Sequence, residues 1–290
     1  MFRTGIRSLL SPIPHILFET PHGVLEGQAL ELIGASGTAI GATLAATTAV
    51  TGDSLAVRSS PPERLTRLIQ VWTDVQVAGT ARIRSPRMHD NVQGMRFDTI
   101  ISDLYPLMPW GLTQRVYPND VLSVDLAGSA VAGDLEFVLL MLLYEDLGGA
   151  NAHFISPDEL MRRAINISNV ENTIATGTTA AWTGSEAINA EFDQFHANAQ
   201  YALVGYLVDT EVSAIAWRGP DTSNYRVGGP GIETDRSITV DWFLKMSRAL
   251  GVPLIPVISA ENKAGTSIDT IQDENGADTT VISIYAELGK

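Results

Sequence analysis

A degraded copy of residues 97–147 returns as residues 240–288, and this internal repeat limits what the chain can fold into more than any other feature. The first stretch reads FDTIISDLY, PLMP, SVD, AGD and then a long apolar run; the second reads VDWFLKMSRALGV, PLIP, SID, GAD and then VISIYAEL. Asp98 aligns with Asp241 at an offset of 143, Pro106 and Pro109 with Pro253 and Pro256 at 147, and Asp125 and Asp134 with Asp269 and Asp278 at 144. Upstream, residues 68–86 lie without gaps on residues 202–220 at an offset of 134, so that Arg84 and Pro86 meet Arg218 and Pro220. Four signals thus recur in one order: a β-rich segment ending in Arg-x-Pro, a short helix, a PLxP break and a strand pair. An ordered set of this kind predicts two versions of one unit.

The length of 290 residues accommodates that reading, because single domains commonly run to ~100–150 residues. An apolar content of 45% and a mean hydropathy of +0.10 describe a folded globular chain, and 25 Gly with 14 Pro suit many turns. The net charge of −14 disfavours nucleic-acid binding by the bulk of the protein. With no Cys there is no disulfide framework, thiolate metal site or cysteine nucleophile. The longest apolar run, residues 137–143, falls far short of the ~20 residues of a membrane-spanning helix and reads as a buried strand. No secretory signal is expected at the N-terminus.

Residues 1–18 reverse the sign of the chain, carrying Arg3 and Arg7 and no acid, with Phe2, Ile6, Leu9 and Leu10 at helical spacing. Two readings stand: an arm that touches an anionic surface, membrane or packaged nucleic acid, or an amphipathic helix docked on its own domain. The alternation within residues 68–83 predicts half-buried antiparallel strands, Asp98 a short helix stopped by Pro106, and residues 135–147 a strand covered on both faces. One cover is expected to be the partner sheet, and a neighbouring subunit is one candidate for the other. Ser156, Pro157 and Glu159 form a capping-box start for a helix of about ten residues that joins the halves, and a short helix is expected near residues 187–196. Residues 219–235 have no equal in the first copy. They predict an exposed loop presenting Asn224, Tyr225 and Arg226.

The chemistry of catalysis is hard to find. None of the five histidines lies three to five residues from another, no G-x-S-x-G elbow occurs, and residues 34–41 lack the Lys and Ser/Thr ending of a phosphate loop. The acidic turn at 273–278 fails the EF-hand spacing, with Asp278 and Ile284 where Gly and Glu belong. No catalytic residue, cofactor or metal is assigned. Arg84 and Arg218 carry two readings: anchors for carboxylates between subunits, or strand ends facing water.

This organisation, two similar β-sandwiches with a helix inserted in each, a connecting helix and a basic amphipathic arm, resembles the double jelly-roll major capsid proteins of tailless icosahedral viruses and phages. The resemblance is architectural and covers nearly the whole chain. It implies an all-β fold of two tandem jelly rolls over residues 19–150 and 168–290, joined by a helix within 151–167. It further implies a homotrimer of pseudo-sixfold outline in a capsid shell, made in the host cytoplasm and contacting other virion proteins, with residues 1–18 turned inward. Competing classes are a tandem sandwich, on a virion fibre or in a secreted lectin, that binds carbohydrate through Trp110, Trp182, Trp217 or Tyr225, an HK97-type shell subunit, which should show a long spine helix, and a cupin-like enzyme.

Overall fold

The computed structural model describes residues 28–290 apart from 39–40, 60–65, 89–90, 100–111, 132–133, 146–149, 151, 176, 210–211, 233–235 and 273–277. Its first half comprises β1 (Ala29–Thr38), β2 (Ala45–Ala46), β3 (Thr48–Ala49), β4 (Thr66–Asp74), β5 (Thr80–Arg84), β6 (Met95–Asp98), β7 (Gln114–Val116), β8 (Ser123–Ala127) and β9 (Leu135–Tyr144). After β10 (Phe154–Ile155) and α1 (Pro157–Arg163) come β11 (Ala164–Ile174), β12 (Trp182–Ala187), β13 (Gln200–Val208), β14 (Val212–Arg218) and β15 (Val227–Pro230). The chain ends with α2 (Arg236–Thr239), α3 (Trp242–Leu250), β16 (Ile255–Ser259), β17 (Ser267–Gln272) and β18 (Thr279–Leu288).

Each half is an antiparallel two-sheet sandwich, and the strand orders match. The first half pairs β3-β1-β9-β4-β7 and β2-β8-β5-β6; the second pairs β10-β16-β13-β18-β11 and β12-β17-β14-β15. Setting aside β3 and β10, eight successive strands of one half correspond in order and pairing to eight of the other.

The correspondence extends to irregularities. Leu68 pairs with Leu142 and is followed by a bulge before Gln70; Leu203 pairs with Tyr285 and is followed by a bulge before Gly205. These equivalences run at offsets of 135 (68 to 203) and 143 (142 to 285), whereas Arg84 opposite Ser123 and Arg218 opposite Ser267 keep 134 and 144. The gapless alignment of residues 68–86 therefore needs a one-residue shift between β4 and β5. In a strand that shift moves every side chain to the other face.

Four sheets stack as layers. Between the two sheets of the first half lies one core, with Ile33, Val71 and Leu140 facing Ala81, Ile83 and Val124. The opposite face of β1, β4 and β9 presents Leu30, Leu32, Trp72, Leu139 and Met141 to the second half, where they share a core with Ala214, Val227, Trp242 and Ile271. Strand β9 is accordingly buried along nearly its whole length. The cover that the apolar run called for is supplied by the second half of the same chain, which takes the place of the candidate neighbouring subunit. Close approach is possible because Gly34 lacks a side chain: a Cβ there would stand 2.9 Å from Val50 Cγ2 and 3.1 Å from Ile271 Cδ1.

Other local expectations change. The capping start holds, with the Glu159 amide donating to Ser156 Oγ at 3.1 Å, but α1 has only seven residues. Ala164 is already extended, since the β-branched pair Ile165 and Ile167 favours strand. Nor does α1 merely join the halves: Arg163 donates to Gln200 Oε1 and to the Gly289 carbonyl, fixing it to the second sandwich. Residues 187–196 hold turns instead of a helix, and Asp98 ends β6, while the helix expected beyond it lies outside the described residues. Gly251 ends α3 at φ +70°, where glycine carries no Cβ penalty. Among the described residues no helix is long and apolar enough to cross a membrane.

Candidate functional site: the seam between the halves

The repeated Arg-x-Pro has a local explanation that the two copies share. Arg84 stands opposite Ser123 and reaches diagonally to Asp125, with Nε 3.0 Å from Oδ2; Arg218 stands opposite Ser267 and reaches Asp269 in the same way, at 2.7 Å. Diagonal neighbours on one sheet face are within reach of a long side chain. Both guanidinium groups therefore hold a carboxylate of their own chain, so neither faces water unpaired as a simple strand end would. Arg82 shares Asp125 in the first half, at 2.9 Å.

In the second half Arg226 takes the place of that extra partner, and it extends the cluster across the seam. Its Nε lies 3.1 Å from Asp269 Oδ2, while its Nη1 donates to Asp53 Oδ1 at 3.1 Å and to the Gly52 carbonyl at 3.0 Å. The guanidinium also sits 4.9 Å from the Trp182 ring centroid, a cation–π distance. Asp53 accepts from Trp182 Nε1 at 2.7 Å and from the Gly34 amide at 2.6 Å. Gly52 adopts φ +96°, and this left-handed turn places the carbonyl that Arg226 reads. Main-chain bonds run alongside: the Leu32 amide donates to the Arg226 carbonyl at 2.8 Å, and Thr51 exchanges bonds with Ala180 and Trp182 at 3.0 Å each.

Electrostatics at the seam are finely balanced. Burial pushes the Asp53 carboxyl up to about 6, and the Glu31 charge adds to the rise, while Trp182, Gly34 and Arg226 pull the other way. Desolvation outweighs the single shared guanidinium. Nearby, Glu31 accepts from Arg58 and, at 3.1 Å, from the Tyr144 hydroxyl, whose ionisation burial disfavours strongly. Arg58 in turn lies 4.7 Å from the Tyr225 ring.

Residues 219–232 are thus part of the seam and not an exposed loop, while 233–235 lie outside the described residues. Asn224 is exposed, but Tyr225 is half-buried against the first half's core, Arg226 is a central tie, and Val227–Pro230 is a fully buried strand. The insertion reads as polar and Gly-rich because Gly228 and Gly229 must pass tightly by Ala216, Tyr206 and Trp242. Arg3, Arg7 and Trp110 lie outside the described residues. Of the other aromatic candidates for sugar stacking, Trp217 is fully buried and Trp182 lies under Arg226. Asp53 carried no sequence signal of its own.

Among the described residues there is no cluster of three metal-ligating side chains. An open depression of about 290 Å³, lined by Arg163, Gln200, Ser259, Glu261 and the C-terminal residues, is shallow and polar. No protein family model matches the sequence, and no curated protein matches it. Among solved structures, the PBSX exported protein XepA is similar at 13% identity over 86% of this chain and 85% of its own, with a TM-score of 0.19. The Bacillus thuringiensis insecticidal crystal protein Cry7Ca1 is similar at 9% identity over 94% of this chain and 54% of its own, with a TM-score of 0.17. Likenesses at these scores carry no argument about this chain.

Proposed function

We propose that the chain is a structural protein of a virion, a major capsid protein built as a tandem jelly roll and not an enzyme. The observation that carries the reading is the strand order. Numbering the eight matched strands of each half in turn, both halves pair 1-8-3-6 in one sheet and 2-7-4-5 in the other. That is the pattern of an eight-stranded jelly roll wound from two Greek keys, an architecture common in capsid and lectin domains. The insertion of α2 and α3 between the fifth and sixth strands of the second half adds a helix where the resemblance leads one to expect it.

On this reading three copies associate into a block of pseudo-sixfold outline, and such blocks tile an icosahedral shell with other virion proteins. The basic segment with Arg3 and Arg7 turns inward to a membrane or the packaged genome. Assembly also accounts for a chain whose clearest built cluster is a joint between surfaces. The test is light scattering of the purified full chain with electron microscopy of its assemblies. A mass three times the chain's 31.2 kDa, or closed shells, is expected. A stable monomer retarded on a carbohydrate column would overturn the proposal in favour of a lectin.

A further inference from the structure

The seam joins two unlike sheets and leaves one of each kind outside it. Within the chain the face of β1, β9 and β4 lies against the β12-β17-β14-β15 sheet of the second half. Two matched faces remain. One is that of β11, β18 and β13, where Ile167 is 60% exposed and Leu207, Ile282 and Ile284 are half-buried. The other is that of β8, β5 and β6 in the first half, where Arg96 is exposed.

Pairing registers show what stands at each matched position. On the first kind of face, Trp72, Met141 and Leu143 of the seam give way to Leu207, Ile284 and Ala286. On the second kind, Ala216 and Gly228 of the seam give way to Arg82 and Arg96. One outer face is trimmed where the other is filled out, which is the compensation close packing between them requires. A third exchange fits the same joint. Gly34, whose added Cβ would stand 3.1 Å from Ile271 Cδ1, is matched by Glu171, and Ile271 is matched by Ala127. The larger side chain has changed sides.

The charges correspond as well. In the seam Arg226 holds Asp269 through Nε and reaches Asp53 of the other half through Nη1. In the first half Arg82 holds Asp125 through Nε at 2.9 Å, and its Nη atoms have no hydrogen-bond partner among the described residues. Asp53 is itself held by the Gly34 amide, and Glu171, at the position matched to Gly34, is exposed with no ion-pair partner among the described residues. Glu171 can therefore give the open end of Arg82 what Asp53 gives Arg226. Arg96, directly across from Arg82, also lacks an ion-pair partner among the described residues. Arg82, Arg84 and Arg96 against Asp98 and Asp125 leave the first-half face net positive. Glu171, Asp209 and, at the β11 edge, Glu191 against Arg236 leave the other net negative. Opposite potentials of this kind steer two surfaces together and fix their register.

We infer that the β11-β18-β13 face of one copy packs on the β8-β5-β6 face of the next in a second version of the seam, with Glu171 set over Ala127 and paired with Arg82 and Arg96. The inference rests on the trimer proposed above and deepens it, because such a joint is head-to-tail and three copies close it into a ring of six sandwiches. The chain has no Cys, so thiols can be placed singly. Full-length chain carrying Glu171→Cys and Ala127→Cys, treated with a short bis-maleimide, is expected to yield covalent trimers. Either cysteine alone should give no link, and a mixture of the two single variants should give dimers only. Glu171→Arg is expected to weaken association at least about tenfold, and adding Arg96→Glu to restore it, both at unchanged melting temperature. Cross-linking of Glu171→Cys chains to one another would show like faces meeting and overturn the inference. Trimers that the cysteine pair does not link and the charge swap does not weaken would overturn it and leave the capsid reading standing. Association that survives Glu171→Arg but is lost on deleting residues 1–27 makes that segment the cover and overturns it too. A ladder of links running past three keeps the joint and sinks the trimer, and a chain monomeric at every concentration sinks both.

Discussion

Trp72 is the residue whose removal should reveal most about how the halves are joined. It is fully buried on the seam side of β4, with its ring centroid 5.3 Å from that of Trp242 at the start of α3. Replacing it by Ala opens a cavity between the sandwiches, and truncating a buried Trp costs about 3–5 kcal/mol. For a chain of this size each kcal/mol moves the melting temperature by ~2–4 °C, so a drop on the order of 6–20 °C is expected. Trp72→Phe should cost much less, because the indole Nε1 is buried without an acceptor and Phe removes that orphan donor while keeping most of the apolar volume. Scanning calorimetry of the full chain is the assay. Because Trp72 belongs to the first half and its partners to the second, the whole transition should shift together. A drop below about 2 °C in the alanine variant, or a transition that splits with the second half unmoved, would refute the idea that the seam is a true core.

Two other predictions follow from the ion pairs. Asp269→Ala should destabilise more than Asp125→Ala, by about 1 kcal/mol or more in urea titrations. Each strands two guanidinium groups, but Asp269 also anchors Arg226 at the seam. Because the Asp53 carboxyl is raised to about 6 from 3.8, the folded state binds its proton more tightly than the unfolded state. Its contribution to stability is therefore complete below pH ~3.8 and is lost as pH rises through ~6, amounting to about 1 kcal/mol between pH 5 and 7. Asp53→Asn should remove that slope. An identical slope in wild type and variant would show that Arg226 and Trp182 already hold the group ionised.

Much of the fold was legible from sequence because duplication writes the same signal twice. The order of strands, the Arg-x-Pro ends and the SVD and SID segments each correspond to a matched feature of the two sandwiches. Arg84 with Asp125 and Arg218 with Asp269 were both visible as repeats, yet their pairing was not, since a diagonal contact depends on strand register. The one-residue shift between β4 and β5 was hidden for a related reason: a connection one residue shorter changes the facing of a strand without changing its composition. Residues 219–232 misled most. Gly and polar residues ordinarily mark exposed loops, but here they permit close passage of backbone and supply a buried tie. The reach of α1 was overestimated because Arg and Ala continue the helical pattern into residues whose β-branching and pairing with β18 turn them to strand.

The most direct test of a duplicated sandwich stacked into one body is to produce residues 19–150 alone and follow their folding by calorimetry and light scattering. The stacked arrangement predicts aggregation or no cooperative transition, because Leu30, Leu139, Met141 and Trp72 would lose their cover, and rescue when residues 151–290 are supplied in trans. A soluble monomer that unfolds cooperatively on its own, at the temperature of the full chain, would contradict it.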